Sequence, residues 1–331
     1  MTADRPKPSP VRAVCLLSGG LDSQLAICVL REQGVEVCAM AFRSPFFGPG
    51  NALAAGKALG VPVQVEDFSK TILGLLRDPP HGFGSGMNPC IDCHMAMVRH
   101  AGQWMEANGY HLIATGEVLN QRPMSQNRQS LAVVAKGSGY ADRLLRPLSA
   151  RLLPETEPER LGWVDRARLG DLQGRSRKPQ MDLARRYGIR DYPQPAGGCA
   201  LTDPTFSLRL RELLAHEGVD EREIQLLRLG RRFRVNGRRL ILGRNRADNA
   251  SLEKALGPGD ILLRMDTHAG PLGLAPAATP PDTLAVMAGL CARYSDCPPN
   301  QPVRVRLTGP AGESVLEVMP ADPEVVERFR I

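Results

Sequence analysis

Three stretches of the sequence combine residue types and spacings that could carry out chemistry. The first is LLSGGLDSQLA at residues 16–26, where two glycines, two serines and an aspartate follow an apolar run. Gly19 and Gly20 would let the backbone curl around an anion, and Asp22 could orient a magnesium ion or cap a helix. No lysine follows the glycines, so this is not the Walker pattern GxxxxGK[ST]. The stretch indicates phosphate binding, with a tight capped turn as the alternative.

The other two stretches contain cysteine. GMNPCIDCH (residues 86–94) places Cys90 and Cys93 one helical turn apart at a helix start, where the helix dipole favours thiolate. PAGGCALTD (195–203) places Cys199 after two glycines, which would allow the backbone to approach another group closely. In a reducing compartment, cysteines with ligand-like spacing indicate metal or redox chemistry before disulfides.

These residues need a framework that brings strand ends and helix starts together. From residue 11 to about residue 150, short apolar runs alternate with longer helical patterns, which predicts an α/β domain with a doubly wound parallel sheet. The predicted strands are 11–18, 35–43, 61–68 and 110–117, and the predicted helices are 23–34, 51–61 and 93–109. Ligands of such sheets lie at the carboxyl ends of the strands, near helix N-termini. We therefore expect the glycine loop to bind its ligand at this edge.

Composition narrows the class of protein. The chain has 331 residues, 43% of them hydrophobic, which is enough for two or three domains. Its net charge of +7 comes mostly from arginine, which favours a polyanionic partner. No segment approaches the roughly 20 apolar residues of a membrane span, and MTADRPKPSP lacks the apolar core of a signal peptide. We expect a cytoplasmic protein without membrane contact, and the sequence indicates no oligomeric state.

The glycine loop SGGLDS resembles the pyrophosphate loop, SGGxDS, of the PP-loop ATP pyrophosphatases. The resemblance implies the fold of the adenine nucleotide alpha hydrolases, binding of ATP with Mg²⁺, and cleavage of ATP between its α and β phosphates to activate a carbonyl or amide oxygen. It implies that Asp22 is also a catalytic residue. The nucleotide contacts that it implies are Ser18, Gly19, Gly20, Leu21, Asp22 and Ser23 for the phosphates, Met40 and Phe42 for the adenine, and Thr115 and Gly116 to close the site.

Other segments resemble the tRNA sulfurtransferases of this family. NPCIDC is similar to the NPC segment of the tRNA 2-thiouridylases, and TGEVLNQRPMSQNRQSL (115–131), LLRPL (144–148) and MDLARRYGI (181–189) are similar to segments of the 4-thiouridine synthases. The resemblance implies an enzyme that adenylates a uridine carbonyl oxygen of tRNA and replaces it with sulfur. Since no rhodanese pattern is recognised, we expect an external sulfur donor, either sulfide or a persulfide carrier.

Three chemistries compete for the cysteines. Cys90, Cys93 and Cys199 could hold three corners of a [4Fe-4S] cluster with an open fourth iron, as in the cluster-dependent sulfurtransferases. Alternatively, Cys90 or Cys199 could carry a persulfide that the other resolves, without any metal. The same three thiols with His94 could instead bind a structural zinc ion. The sequence favours the cluster, with Cys90 and Cys199 as catalytic residues in either sulfur-transfer scheme.

Beyond residue 225 the composition changes. RLGRRFRVNGRRLILGRNR (228–246) carries eight arginines and no acidic residue, with NG marking a β-hairpin. Arginines on one face of such a hairpin would form a phosphate-binding strip; the alternative is an edge strand protected by charge. The stretch 225–331 resembles the NFACT-type RNA-binding domain, through its hairpin, GRN, PGDI and D-x-H-x-G order. The RNA-binding candidates are Arg231, Arg232, Arg234, Arg238, Arg239, Arg244, Asn245, Arg246 and His268.

The predicted organisation has three parts. Residues 1–205 form the PP-loop domain, residues 206–224 a linker helix, and residues 225–331 a smaller α+β RNA-binding domain. Residues 149–180, rich in charge and turn formers, are interpreted as a solvated surface excursion, with an RNA contact as the alternative. Two other functions stay open at this point: a PP-loop ligase acting on a small molecule, and a non-catalytic RNA-binding protein.

Overall fold

The computed structural model describes residues 8–194, 199–216 and 220–331. The chain divides into two compact units, Met1–Ser207 and Leu208–Ile331. The functional boundaries that the sequence places at residues 205 and 225 stay a prediction.

The N-terminal unit is built on a parallel sheet with the strand order β3-β2-β1-β4-β5. Its strands are β1 (Arg12–Leu16), β2 (Glu36–Arg43), β3 (Val63–Asp67), β4 (Leu112–Ala114) and β5 (Leu144–Leu145). From β1 the chain adds β2 and β3 on one side, and later β4 and β5 on the other. The predicted doubly wound sheet is confirmed, and its topological switch point lies between β1 and β4.

The helices of this unit connect and cover the strands. They are α1 (Leu21–Arg31), α2 (Gly50–Leu59), α3 (Ser69–Arg77), α4 (Cys90–Ala107), α5 (Arg128–Ser138), α6 (Glu157–Arg160), α7 (Lys178–Arg186) and α8 (Pro204–His216), the last of which continues into the second unit. Residues 149–172 contain short turns and α6, yet they are not only a solvated excursion. Trp163, Val164 and Leu169 are buried in the main core cluster, because this segment covers part of the sheet.

The C-terminal unit contains an antiparallel sheet with the order β11-β10-β8-β9-β7-β6. Its strands are β6 (Arg231–Val235), β7 (Arg238–Leu242), β8 (Asp260–Met265), β9 (Gly273–Pro276), β10 (Val303–Gly309) and β11 (Gly312–Val318). The helices are α9 (Glu221–Leu226), α10 (Arg246–Lys254), α11 (Pro281–Arg293) and α12 (Pro323–Phe329). The β6–β7 turn has φ of 49° at Asn236 and 78° at Gly237, the signs that a two-residue type I′ hairpin requires.

The two faces of this sheet have separate cores. One cluster joins Phe233, Leu240 and Leu263 to α11, and the other joins Ile241 and Leu274 to α9 and α10. This α+β arrangement agrees with the predicted fold class. Among the described residues, no helix has the length and apolar character needed to cross a membrane.

Candidate active site

The glycine loop connects β1 to α1 at the carboxyl edge of the parallel sheet. Gly20 lies at the N-cap position of α1 without a side-chain cap, so the first N–H groups of the helix are available to an anion. Ser23 Oγ donates to Gly20 O at 2.8 Å, and Gln24 Nε2 donates to Gly19 O at 2.9 Å. Ser18 is exposed beside them. These bonds hold the loop in shape while its outer surface stays open.

Two glycines are required by close backbone approach. Gly19 has φ of +81°, and a Cβ there would lie 2.4 Å from the backbone of Asn51. Gly116 follows β4, and a Cβ there would lie 2.5 Å from the carbonyl carbon of Asp22 and from the nitrogen of Ser23. The TGE segment after β4 therefore packs directly against the start of α1, as expected for adjacent strands at a switch point.

Asp22 has one satisfied and one unsatisfied carboxylate oxygen. Its Oδ2 accepts a hydrogen bond from Gln121 Nε2 at 3.1 Å. Its Oδ1 is buried and has no hydrogen-bond partner among the described residues. Burial raises the pKa of Asp22, while Gln121, Arg177 and Arg122 act in the opposite direction. A buried oxygen without a partner is suited to bind a cation that arrives with a ligand.

The predicted adenine site at the end of β2 is packed with aromatic side chains. Met40 is fully buried, and Phe42 is 8% exposed. The Phe42 ring packs edge-on against Phe68 and His100, with ring centroids 5.3 and 5.6 Å away. The contact of Met40 and Phe42 with adenine stays a prediction, and it would involve this strand end rather than an exposed Met40 side chain.

A buried carboxylate joins three of the segments that the sequence singled out. Glu117 Oε2 accepts from Arg146 Nε at 2.8 Å and from Thr115 Oγ1 at 3.0 Å, and its Oε1 lies 3.1 Å from His94 Nδ1. Burial alone would raise the pKa of Glu117, but Arg146 and His94 outweigh it and hold that pKa below its ordinary range. The TGE segment, the LLRPL segment and the cysteine helix α4 are thus connected by one side chain.

The pair Cys90 and Cys93 lies in the first turn of α4. Both side chains are half-buried. Asn88 Nδ2 donates to Cys90 Sγ at 3.1 Å, and Asn88 Oδ1 accepts from the backbone of Gly86 at 2.9 Å. Asn88, in the Asn–Pro turn that precedes α4, therefore orients the first thiol directly.

The segment that follows Cys199 packs against the turn before α4, and this brings the third cysteine towards Cys90 and Cys93. The Ser207 hydroxyl accepts from Met87 N at 3.1 Å and donates to Leu201 O at 3.0 Å, so residues 201–207 lie against the turn before α4. Ala200 N donates to Phe46 O at 3.2 Å. Cys199 is half-buried, and the PAGG residues 195–198 that precede it lie outside the described residues.

The three thiols are close enough to affect one another. Burial raises the pKa of Cys93 well above its ordinary range, and Cys199, Cys90 and Asp92 raise it further. In the described part of the chain, no three His, Cys, Asp or Glu side chains are arranged to hold a single metal ion. His94, the fourth ligand of the zinc alternative, contacts Glu117 instead. Thiolates are ligands of both iron–sulfur clusters and structural zinc, so the choice between the cluster, the persulfide pair and zinc stays a prediction.

Alternation along the hairpin puts its arginines on two faces of the C-terminal sheet. Phe233 and Leu240, which are register partners, lie in the core cluster beneath α11. Arg232, Arg234 and Arg239 therefore point to the opposite face. That face is covered, and the predicted surface strip does not form there.

Acidic residues from outside the hairpin meet these three arginines. Arg234 pairs with Glu212 of α8 at 2.5 Å, and Arg239 lies 3.2 Å from Asp260. Arg232 is 2% exposed and Arg239 5% exposed. Both side chains are buried because α8, α9 and β8 supply counter-charges that the hairpin sequence does not contain. Their contact with RNA stays a prediction, and their burial does not favour it. Burial lowers the pKa of Arg232 to about 10, although Glu212 opposes this.

The remaining candidates lie at the surface in two places. Arg238 is exposed at the hairpin turn, whereas Arg231 and Arg246 lie at the other end of the hairpin. The Arg231 guanidinium lies over the Tyr294 ring, 4.6 Å from its centroid. Contact of these three arginines with RNA stays a prediction.

Three further candidates are engaged in local contacts. Arg244 Nε lies 2.6 Å from Asp248 Oδ2, and the Asn245 side chain caps α10 by accepting from Asp248 N at 2.9 Å. His268 Nδ1 lies 2.9 Å from Thr267 Oγ1. Their roles in RNA binding stay predictions.

Sequence reasoning missed the residues that connect the site. Glu117, Arg146, Gln121 and Asn88 all lie inside segments with a family likeness or a cysteine pair, but none of them was predicted as a site residue. A charged residue inside an apolar run, such as Arg146 in LLRPL, was the available signal, because such a residue is buried only with a partner.

Two family models match the chain, one in each unit. Residues 9–151 match the model described as thiamine biosynthesis protein (ThiI), and residues 230–330 match the model described as NFACT protein RNA binding domain. These matches confirm the two resemblances drawn from the sequence.

Curated relatives match the N-terminal part. The tRNA-specific 2-thiouridylase of Bradyrhizobium sp. (strain BTAi1) is 26% identical over 203 residues, covering 55% of this chain and 48% of the relative. That of Paramagnetospirillum magneticum is 30% identical over 146 residues, covering 36% of this chain and 38% of the relative. A solved 4-thiouridine synthetase–RNA complex with bound ATP is 21% identical, with a TM-score of 0.35, over 56% of this chain and 53% of that chain. The chain spans about half the length of the 2-thiouridylase from Bradyrhizobium.

Proposed function

Because the chain combines a ThiI-type PP-loop domain with an NFACT-type RNA-binding domain, we propose that it is an ATP-dependent tRNA sulfurtransferase. One observation carries the proposal. Gly116 packs on the start of α1, at the end of the phosphate loop, and the adjacent Glu117 contacts His94 on the helix that presents Cys90 and Cys93. A nucleotide at the loop and sulfur at the cysteines would therefore act at the same edge of one sheet.

The proposed reaction has two steps. The uridine carbonyl oxygen attacks the α-phosphorus of ATP, the bond between the α-phosphorus and the bridging oxygen breaks, and pyrophosphate leaves. A sulfur nucleophile then adds to the activated carbon, and the carbon–oxygen bond breaks to release AMP. The N–H groups at the start of α1 bind the phosphates, and Asp22 Oδ1 is available to the accompanying Mg²⁺.

Sulfur delivery is assigned to Cys90, Cys93 and Cys199. A [4Fe-4S] cluster held by these three thiolates would offer an iron with an open position for sulfide from an external donor. Two hydrogen-bonding side chains position the thiols: Asn88 orients Cys90, and Ser207 fixes the segment that follows Cys199. In the metal-free scheme, Cys90 or Cys199 carries a persulfide and the other of the two thiols resolves it. Cys93 then has no role.

Mass spectrometry of tRNA nucleosides tests the proposed function. Cells that lack the protein should lose one thiolated uridine, and the wild-type gene should restore it whereas Asp22→Asn should not. With purified tRNA, the products should be AMP and pyrophosphate. An unchanged nucleoside profile, or release of ADP and phosphate, would contradict the proposal.

Anaerobic purification tests the sulfur chemistry. The protein should be brown and contain about four iron and four sulfide ions per chain if a [4Fe-4S] cluster is bound. Cys90→Ala, Cys93→Ala and Cys199→Ala should each lose thiolation, whereas the control Cys297→Ala, at another half-buried cysteine, should keep it. A colourless protein with an active Cys93→Ala variant would instead support the persulfide pair.

A further inference from the structure

The phosphate loop has too little positive charge for its proposed ligand. The SGGLDS sequence contains no lysine or arginine, and Asp22 adds a negative charge to it. Helix N-terminal N–H groups supply only a partial charge. Cleavage of ATP to AMP leaves the negative charge of pyrophosphate at this place, so cations from other segments are needed.

Two segments that are distant in the sequence lie side by side next to the phosphate loop: the residues after β4, which include Leu119, and the residues before α7, which include Leu172 and Gly174. The Ser149 hydroxyl accepts from Leu119 N at 3.0 Å and donates to Leu172 O at 2.6 Å. Gly174 N donates to Leu119 O at 2.7 Å. The first segment then reaches Asp22 through Gln121, and the second continues to the first residue of α7 at Lys178.

Each segment carries an arginine to this place. Arg122 follows Gln121, and Arg177 precedes α7. Arg122 is exposed and Arg177 half-buried. Both guanidinium groups interact electrostatically with the Asp22 carboxylate. Within residues 8–194, 199–216 and 220–331, neither arginine has a carboxylate oxygen within 4.0 Å. Their charge is therefore not neutralised by a direct ion pair with those residues.

We propose that Arg122 and Arg177 bind the β- and γ-phosphates of ATP and stabilise the leaving pyrophosphate, supplying the charge that a Walker lysine supplies in other loops. The proposal rests on the proposed function of the loop. Bidentate guanidinium donors suit phosphate oxygens, and the two side chains approach from segments outside the glycine loop. The sequence interpretation of residues 149–180 as a solvated excursion did not anticipate this role for Arg177.

Binding of magnesium pyrophosphate to the full-length protein, measured by calorimetry, tests the proposal, with AMP as the second probe. Arg122→Gln and Arg177→Gln should each weaken pyrophosphate binding about tenfold, the effect of one charge-assisted hydrogen bond. AMP affinity should stay unchanged, and Arg177→Lys should recover part of the loss. Matched controls are Arg128→Gln and Arg175→Gln, which remove exposed arginines from the same two segments.

The outcomes are distinct. Unchanged pyrophosphate affinity in both variants would overturn the proposal, as would a wild-type protein that does not bind pyrophosphate. Loss of tRNA affinity with unchanged pyrophosphate affinity would also overturn it, and would assign the two arginines to RNA. A wild-type protein that binds pyrophosphate as expected but converts ATP to ADP would contradict the proposed function and, with it, the stabilisation of a leaving pyrophosphate; the loss of pyrophosphate affinity in the two variants would then still support phosphate binding by Arg122 and Arg177.

Discussion

Glu117 joins three segments of the N-terminal unit through one buried carboxylate. Its partners Arg146, Thr115 and His94 come from β5, β4 and α4 or the residues directly after them. Removing one member of a buried ion pair leaves the other charge without compensation, which costs more than the pair contributes. The connection is therefore sensitive to both substitution and protonation.

We expect Glu117→Gln to lower the free energy of unfolding of the N-terminal unit by about 3 kcal/mol at neutral pH. Because the pKa of Glu117 lies below its ordinary value of 4.5, the stabilisation is present above pH 4.5 and is lost as the pH falls below it. The difference between wild type and variant should therefore shrink in acid.

Tryptophan fluorescence during urea unfolding measures this effect, since both tryptophans, Trp104 and Trp163, lie in the N-terminal unit. The control is Asp171→Asn, which breaks the exposed pair with Arg151 and should cost less than about 1 kcal/mol. Equal effects of the two substitutions at neutral pH would show that Glu117 is not a buried partner of Arg146.

Gly116→Ala tests the contact between β4 and the phosphate loop. The added methyl group would meet the backbone of Asp22 and Ser23 at 2.5 Å, so the start of α1 must move and ATP affinity should fall by at least about tenfold. Gly74→Ala is the control, because nothing lies within 4 Å of its Cβ position on α3. Full ATP binding by Gly116→Ala, measured by calorimetry, would contradict this packing.

The segment from Cys199 to Ser207 would complete the proposed sulfur site formed by Cys90, Cys93 and Cys199. Ser207 bridges Met87 and Leu201, and a Cβ on Gly86 would lie 2.7 Å from Leu201 O. Cys199 lies at the N-cap of the short 3-10 turn Ala200–Thr202. The hydrogen bonds of Ser207 help to fix the segment that follows the third thiol.

Ser207→Ala should lower tRNA thiolation roughly tenfold, because it removes both bonds of the bridging hydroxyl, while ATP binding stays at the wild-type level. Thiolated uridine formed by purified protein and the affinity for ATP are the two measurements. Ser138→Ala, which also removes both bonds of a hydroxyl, one donated to Ala135 O and one accepted from Tyr140 N at the end of α5, should change neither. A parallel loss of ATP binding in Ser207→Ala would indicate general unfolding rather than displacement of Cys199.

The elements differ in how well the sequence predicted them. β1, α1 and the hairpin turn follow from local patterns, since apolar periodicity and the NG pair determine them within short windows. The hairpin arginines show the limit of such patterns. Arg239 and Arg232 have a surface-like sequence context, but their acidic partners Asp260, Glu223 and Glu212 lie outside the hairpin, so the pattern of the hairpin does not contain them. The Glu117–Arg146 pair escaped prediction for the same reason.

The two units of the chain carry different parts of the proposed reaction. The phosphate loop and the cysteines lie in the first unit, and the family match to an RNA-binding domain lies in the second. Phosphate contacts by arginine release counterions, so tRNA affinity should fall steeply with salt. Arginines that already have acidic partners should contribute little to this dependence.

The triple variant Arg231→Gln, Arg238→Gln and Arg246→Gln should weaken tRNA binding and reduce the salt slope by about 0.7 to 0.9 per lost phosphate contact. ATP affinity should not change. The control triple, Arg264→Gln, Arg304→Gln and Arg306→Gln, removes the same charge from arginines paired with Glu253 or Asp266. Equal salt slopes for the two triple variants, measured by filter binding, would contradict the assignment.

The long-range bridge between Met87 and Ser207 also orders events during synthesis of the protein. The strands of the parallel sheet are complete once the ribosome has released the chain through Leu145, whereas Cys199 and its supporting segment emerge more than fifty residues later. Since N-terminal parts of a chain can fold while synthesis continues, the nucleotide edge can form first. Cys90 and Cys93 would then lie on a folded surface before Cys199 has been synthesised. A translational pause before residue 199 would therefore prolong the exposure of these two thiols to oxidants.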